Sequence, residues 1–235
     1  MIDKADIVRV NEFDQWVGKL QTLKAIELGR GKSLLDIGCG IGMFTPLFLK
    51  KFKRVVGLDP SEEYLKEARG KSKVEYIVGW GETFKLNEKF DTITMNMLLE
   101  HVDNPTKLLK NCKKHLKKNG RIIIQVPNAN SITRRIGVIM GLIDSINNIS
   151  DKERNFYGHQ RVYTMKTLKQ EMKKAGLKVI KSGGLLYKPL PNELLLYICK
   201  RNGKIWTDKF LKALVEFGND KTEDCADLYV VCTSK

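Results

Sequence analysis

Two carboxylates and three glycines form the part of this sequence best suited to chemistry. The run Leu34-Leu35-Asp36-Ile37-Gly38-Cys39-Gly40-Ile41-Gly42 puts an acid near the end of an apolar stretch and glycine at every second position after it. Without a Cβ, such a backbone turns sharply and lies in van der Waals contact with a ligand. A dinucleotide fingerprint needs glycine at position 43, where this chain has Met43, so the spacing is G-x-G-x-G and suits a nucleoside without a pyrophosphate. Taken alone, the loop also fits an ordinary strand-to-helix turn. The second anchor is Val55-Val56-Gly57-Leu58-Asp59. Its acid follows Asp36 at the interval of about twenty residues where the next strand of a βαβ unit offers a carboxylate to ribose hydroxyls. Asp59 also precedes a helix opened by Pro60-Ser61-Glu62-Glu63, so a capping role is compatible with it.

Three histidines complete the reactive inventory: His101, His115 and His159. Histidine is the usual general base near neutral pH. His101 follows the fourth predicted strand and is a candidate to touch substrate or act as base, against a structural role as cap or core residue. His159, Arg161 and Tyr163 lie within Gly158-His159-Gln160-Arg161-Val162-Tyr163 and form a candidate acceptor-side cluster, against a backbone-bonding role for His159. His115 lies on a lysine-rich helix face and is expected to be solvated.

These residues need a scaffold, and the pattern supplies one. An apolar-striped helix is expected up to Leu28, with Phe13 and Trp16 on a lid or in the core, followed by the Asp36 strand and a helix over 43–51. Next come the Asp59 strand, a helix over 61–69, a strand over 73–78 and a turn over 79–84 placed to flank an adenine ring. A strand over 90–96 brings Asn96 to the site in doubly wound order. A helix from 103 to a stop at Asn119-Gly120 and a strand over 121–126 complete a regular alternation, which implies a parallel sheet. Beyond Pro127 it breaks. Residues 128–163 form an excursion with an apolar helix at 136–143, read first as a substrate lid and second as a membrane-surface contact. A helix over 164–174 and a strand over 177–181 precede a second excursion, 185–225, with helices at 192–199 and 206–217. The last strand is expected at 228–233.

The chain has 235 residues and a net charge of +15. One α/β domain accounts for its length: a doubly wound, seven-stranded, mostly parallel, Rossmann-like sheet with the last strand antiparallel. A helical lid is expected over 1–30, with the insertions on the substrate side. No apolar run is long enough to span a membrane and no signal peptide is expected, so the reading is cytoplasmic, with peripheral membrane contact open and oligomeric state undetermined. The five cysteines are scattered, odd in number and without a C-x-x-C pair, which points to reduced thiols. The positive charge suits nucleic acid, an anionic membrane or an anionic substrate, although lysines spread over every helix read mainly as solvated faces.

Residues 33–128 resemble the class I S-adenosylmethionine-dependent methyltransferases. The stretches Phe90-Asp91, Leu99-Glu100-His101-Val102, Val126-Pro127-Asn128 and Gly158 to Thr164 are similar to the branch that includes ubiquinone-pathway O-methyltransferases and enzymes of surface-glycan clusters. The resemblance implies S-adenosylmethionine as cofactor. It places Asp36 at the cofactor's amino end and Gly38, Cys39 and Gly40 in the loop. Asp59 and Pro60 would serve the ribose, Gly81 and Glu82 the adenine, and Met95 and Asn96 the methionine chain. Some relatives chelate a divalent ion through Glu-x-x-Glu-His. Here Met97 replaces the first acid, and no metal is expected, although Glu100, His101 and Asp103 remain.

The implied reaction is methyl transfer to an oxygen of a small, possibly anionic molecule. The first acceptor class is a phosphorylated or nucleotide-activated sugar, the next a quinone-type phenol. An RNA methyltransferase suits the charge. However, Asn96-Met97-Leu98-Leu99 is not the loop of amino-group base methylases, and Gln125-Val126-Pro127-Asn128 lacks the Pro-Cys nucleophile of cytosine-C5 enzymes. A non-catalytic cofactor-binding protein is the third reading.

Overall fold

A computed structural model describes residues 12–70 and 72–234. The first eleven residues of the expected lid segment lie outside the described residues. The chain runs α1 (Glu12–Leu28), β1 (Ser33–Ile37), a 3-10 turn (Thr45–Lys50), β2 (Arg54–Asp59), α2 (Glu62–Ala68), β3 (Glu75–Val78) and β4 (Phe90–Asn96). It continues with α3 (Pro105–Lys114), β5 (Leu116–Pro127), α4 (Ile132–Ile139), α5 (Asp151–Asn155), α6 (Met165–Lys174) and β6 (Leu177–Tyr187). The last elements are α7 (Asn192–Asn202), α8 (Lys204–Phe217), a second 3-10 turn and β7 (Cys225–Ser234).

Seven strands form one sheet in the order β3-β2-β1-β4-β5-β7-β6. The first five are parallel, and β7 is antiparallel to both β5 and β6. All five residues of β1 are buried, as expected for a strand covered on both faces. Alternation along the strands then sorts side chains by face. Leu35, Ile37, Val56, Leu58, Ile122 and Ile124 pack with Leu108 and Leu109 of α3 and Leu168 and Met172 of α6. Leu34, Val55 and Ile123 pack on the opposite face with Ala25 and Leu28 of α1 and with Phe48 and Phe52. A third cluster joins Phe13 of α1 to Leu195 and Cys199 of α7 and Leu211 and Leu214 of α8. All five cysteines are free thiols.

Several boundaries differ from the sequence reading for local reasons. The helix expected over 43–51 is a 3-10 turn with Pro46 in its first turn, where a missing N–H is tolerated. The helix expected to reach Asn119 ends at Lys114, and Leu116 already belongs to β5. His115 is the reason. Far from being solvated it is buried, stacked on Phe84 with ring centroids 4.4 Å apart. Its Nε2 accepts from Leu86 N at 3.2 Å, so its Nδ1 carries the proton and donates to the Asn111 carbonyl at 3.0 Å. β6 extends to Tyr187, so the second excursion begins beyond it. The apolar helix of the first excursion starts earlier than expected because Ser131 caps it, its hydroxyl accepting from Arg134 N.

Candidate functional site

The carboxyl ends of β1, β2 and β4 meet around the glycine loop. Gly38 N donates to the Leu58 carbonyl at 2.7 Å and Gly40 N to Asp59 Oδ2 at 2.9 Å, which ties the loop to the end of β2. Gly42 has φ +67°, and a Cβ there would lie 2.6 Å from the Tyr76 hydroxyl. Gly40 has φ +53° with nothing within 4 Å of where its Cβ would be. Its backbone therefore faces open space, as a ligand cradle requires.

Two cavities meet at Gly38. One, of about 270 Å³, is lined by Asp36, Cys39, Gly40, Thr45, Asn96 and Met97, with Gly18, Gln21 and Thr22 of α1 across from them. The other, of about 750 Å³, is lined by Pro60, Trp80, Gly81, Glu82, Leu98 and His101 and extends to Asp103, Lys107 and Gln160. Asp59 stands beside them, its Oδ1 accepting from Ser61 N at 2.9 Å. Ser61, not Asp59, caps α2. Met97, at the rim of the smaller cavity, has φ +49°, a conformation few non-glycine residues adopt and one that gathers at functional sites. Met95, one residue before Asn96, is buried in the apolar core, so Asn96 and Met97 are the side chains of this strand end that line the cavity.

Electrostatics single out the carboxyls. Burial pushes Asp36 up to about 7, against a hydrogen bond from Thr45 and with help from Asp59. Burial also raises Asp59, opposed by the amides of Ser61 and Gly40. The Cys39 thiol is pushed far above its ordinary range by burial and both acids, which favours the neutral thiol over the thiolate.

Behind His101 on the opposite wall, Glu100 is 1% exposed, and neither carboxyl oxygen has a hydrogen-bond partner. Burial raises it to about 8. Its Oε1 lies 3.9 Å from His101 Nε2. The rings of His101 and His159 meet edge-on with centroids 4.9 Å apart, and burial holds both imidazoles below their ordinary range, His159 at about 4. Among the described residues, Glu100, His101 and His159 bring one carboxylate and two imidazole donors within 4.8 Å of one another, a donor set suited to a divalent cation. The missing acid at Met97 hid this grouping from the sequence, since His159 arrives from a distant segment.

Arg161 has a different placement from the one its charge suggests. Its guanidinium donates to the carbonyls of Leu99, Val102 and Asp103, and Gln160 Nε2 donates to the His101 carbonyl and to Asp103 Oδ1. Together they fasten the 99–103 turn from which His101 projects. Tyr163 is buried in the core and its hydroxyl has no partner. Sequence reasoning missed Thr45 and Gln125, and weighed Glu100 only as a remaining acid of a metal pattern that was not expected. The one available signal was a polar residue inside an apolar strand run, as at Gln125.

A methyltransferase-domain family model matches residues 10–182. A ubiquinone biosynthesis O-methyltransferase of Coxiella burnetii is 29% identical over 213 residues, covering 82% of this chain and 89% of that protein. A solved S-adenosylmethionine-dependent methyltransferase of Thermotoga maritima, described as a possible histamine N-methyltransferase, superposes with a TM-score of 0.65 at 25% identity, covering 97% of this chain and 96% of that one. A plantazolicin methyltransferase solved with S-adenosylhomocysteine shares the fold at TM-score 0.61 and 20% identity, covering 98% of this chain and 89% of that one. With glycine loop, paired acids and sheet order all in agreement, the chain belongs to the methyltransferase-domain family and is a class I S-adenosylmethionine-dependent enzyme.

Proposed function

We propose that this enzyme methylates a hydroxyl oxygen of a small molecule. The observation that carries this reading is His101, which lines a cleft whose other wall is Pro60, Trp80, Gly81 and Glu82 and is backed by Glu100 and His159. A hydroxyl acceptor must lose a proton as its oxygen attacks, and an imidazole kept neutral at pH 7 can take it. S-adenosylmethionine, when bound, supplies an already activated methyl group, so the protein's share of the work is alignment and proton removal. In this reading Asp36 meets the cofactor's ammonium and Asp59 the ribose. Gly38, Cys39 and Gly40 cradle the chain between them. Glu82 and Gly81 border the adenine, and Asn96 faces the methionine carboxylate.

The relatives named as ubiquinone O-methyltransferases support a phenol-type acceptor. A phosphorylated or nucleotide-activated sugar is the second reading. It is favoured by Lys107, Lys110 and Lys114, which line a depression of about 410 Å³ adjoining the cleft at Glu82 and Lys107. The exposed side chains of Ile139, Met140 and Leu142, from 65% to 85% accessible, support a lid over a greasy acceptor or against a membrane surface. Among the described residues no helix is long and apolar enough to cross a membrane.

The test is transfer of radiolabel from S-adenosylmethionine to catechol-type phenols and, separately, to nucleotide sugars. Label on phenol oxygen is the expected result. Label on sugars alone would select the second reading. Label only on amines or RNA would overturn O-methylation of a small molecule.

A further inference from the structure

Among Ile122, Ile123, Ile124 and Val126 of β5 sits one amide, Gln125, fully buried. It pairs in register with Asn96 of β4 on one side and Tyr229 of β7 on the other. Its Nε2 donates twice, to the main-chain carbonyl of Gln21 on α1 at 2.8 Å and to Oδ1 of Asn96 at 2.9 Å. A carbonyl oxygen only accepts, so the Gln125 atom facing Gln21 must be the nitrogen. The Asn96 atom facing that nitrogen must then be the oxygen, and the choice between amide rotamers is made for both residues. The Thr94 hydroxyl, 3.3 Å from the same oxygen, donates to it as well. Asn96 is left with its amide nitrogen for the cavity it lines beside Asp36, Gly38 and Gly40.

We propose that Gln125 is a positioning residue that fixes Asn96 as a hydrogen-bond donor to the carboxylate of the cofactor's amino-acid end. The proposal rests on the reading that Asn96 serves the methionine chain. An acid for the ammonium, Asp36, and a donor for the carboxylate, Asn96, then stand on the same wall, matched to the two ends of one zwitterion. Gln21 extends the arrangement, since its own Nε2 donates to the buried Asp227 at 2.9 Å. Helix α1 and the end of β4 are thus held by one nitrogen, and the pose of the helix over the cavity is tied to the polarity of Asn96.

The experiment is calorimetric titration of the full chain with S-adenosylhomocysteine and with 5′-methylthioadenosine, which keeps the nucleoside and lacks the amino-acid end. Gln125→Met is expected to weaken S-adenosylhomocysteine about tenfold, the loss of one well-placed bond, and to leave 5′-methylthioadenosine within about twofold. Gln125→Met combined with Asn96→Ala is expected to lose no more than Asn96→Ala alone. Equal losses for both ligands, or additive losses in the double variant, would mean that Gln125 only supports the fold, and would overturn the proposal. Asn96→Asp tests the same polarity without touching β5, because it still accepts from Gln125 but offers the cavity an oxygen. It should lose S-adenosylhomocysteine and keep 5′-methylthioadenosine, and normal binding of both would refute the donor assignment. If Asn96→Ala leaves S-adenosylhomocysteine binding unchanged, the underlying cofactor reading fails. If Asn96→Ala weakens it and Gln125→Met does not, only the positioning role fails.

Discussion

The hydroxyl of Thr45 donates to Oδ2 of Asp36 at 2.7 Å, beneath the glycine loop where the first strand gives way to the 3-10 turn. That bond favours the ionised acid, yet burial outweighs it and leaves Asp36 near 7. A protonated Asp36 cannot pair with an ammonium group. S-adenosylhomocysteine affinity should therefore climb with pH by up to about tenfold per unit below pH 7 and level off above it. Titration calorimetry across that range checks this, and Asp36→Asn should bind weakly and without the pH slope. A flat profile in the native enzyme would remove Asp36 from the ammonium.

The same shift has a stability consequence of opposite sign. The folded-state value lies above the ordinary carboxylate value of 3.8, so the contribution of Asp36 is complete below that value and is lost as pH rises through about 7. The cofactor-free protein should lose about 1 kcal/mol of stability from this group between about pH 6 and about pH 8. Urea unfolding at the two pH values measures it, and Asp36→Asn should abolish the difference attributable to this site.

Gly42 and Gly40 should respond differently to alanine. Both have positive φ, but only at Gly42 would the new methyl collide, with the Tyr76 hydroxyl at 2.6 Å and Ala68 Cβ at 2.7 Å. Gly40→Ala should cost about 1 kcal/mol from backbone conformation alone. Gly42→Ala should cost about 2–4 kcal/mol, because overpacking adds to that strain. Denaturant midpoints give the order directly. Equal midpoints would show that the loop yields to the methyl group.

Arg161→Lys should fail to rescue the loss caused by Arg161→Ala. A single ammonium cannot reproduce a planar fork that reaches the carbonyls of Leu99, Val102 and Asp103 together. Both variants should lower stability by about 1–3 kcal/mol and reduce turnover through a loosened His101 turn. Normal turnover in Arg161→Lys would show that charge, not the fork, is what matters.

His101→Ala and His159→Ala should each lose turnover and retain cofactor affinity. His101 lines the larger cleft, His159 stands beside it with Glu100, and neither imidazole lines the Asp36 cavity. Full activity in both variants would take proton removal away from this group.

The sheet was legible because its strands are apolar runs closed by acids and glycines, and Asp36, Asp59 and Gly38 to Gly42 carry that pattern in one short span. What stayed hidden depends on contacts between distant segments. His115 reads as one more polar residue on a lysine-rich helix until Phe84 and Leu86 fold over it. Arg161 reads as an acceptor-side cation until the 99–103 carbonyls turn toward it. Glu100 and His159 are 59 positions apart in the chain, and only the crossing of the first excursion over the end of β4 brings them together.

The third apolar cluster draws on α1 at one end of the sequence and on α7 and α8 near the other. A ribosome releases Phe13 and Trp16 long before it releases Leu211 and Leu214. The parallel half of the sheet, β1 to β5, has all its strands in hand well before those partners emerge. The first helix must therefore wait, with Phe13 and Trp16 short of their partners, until the last helices arrive.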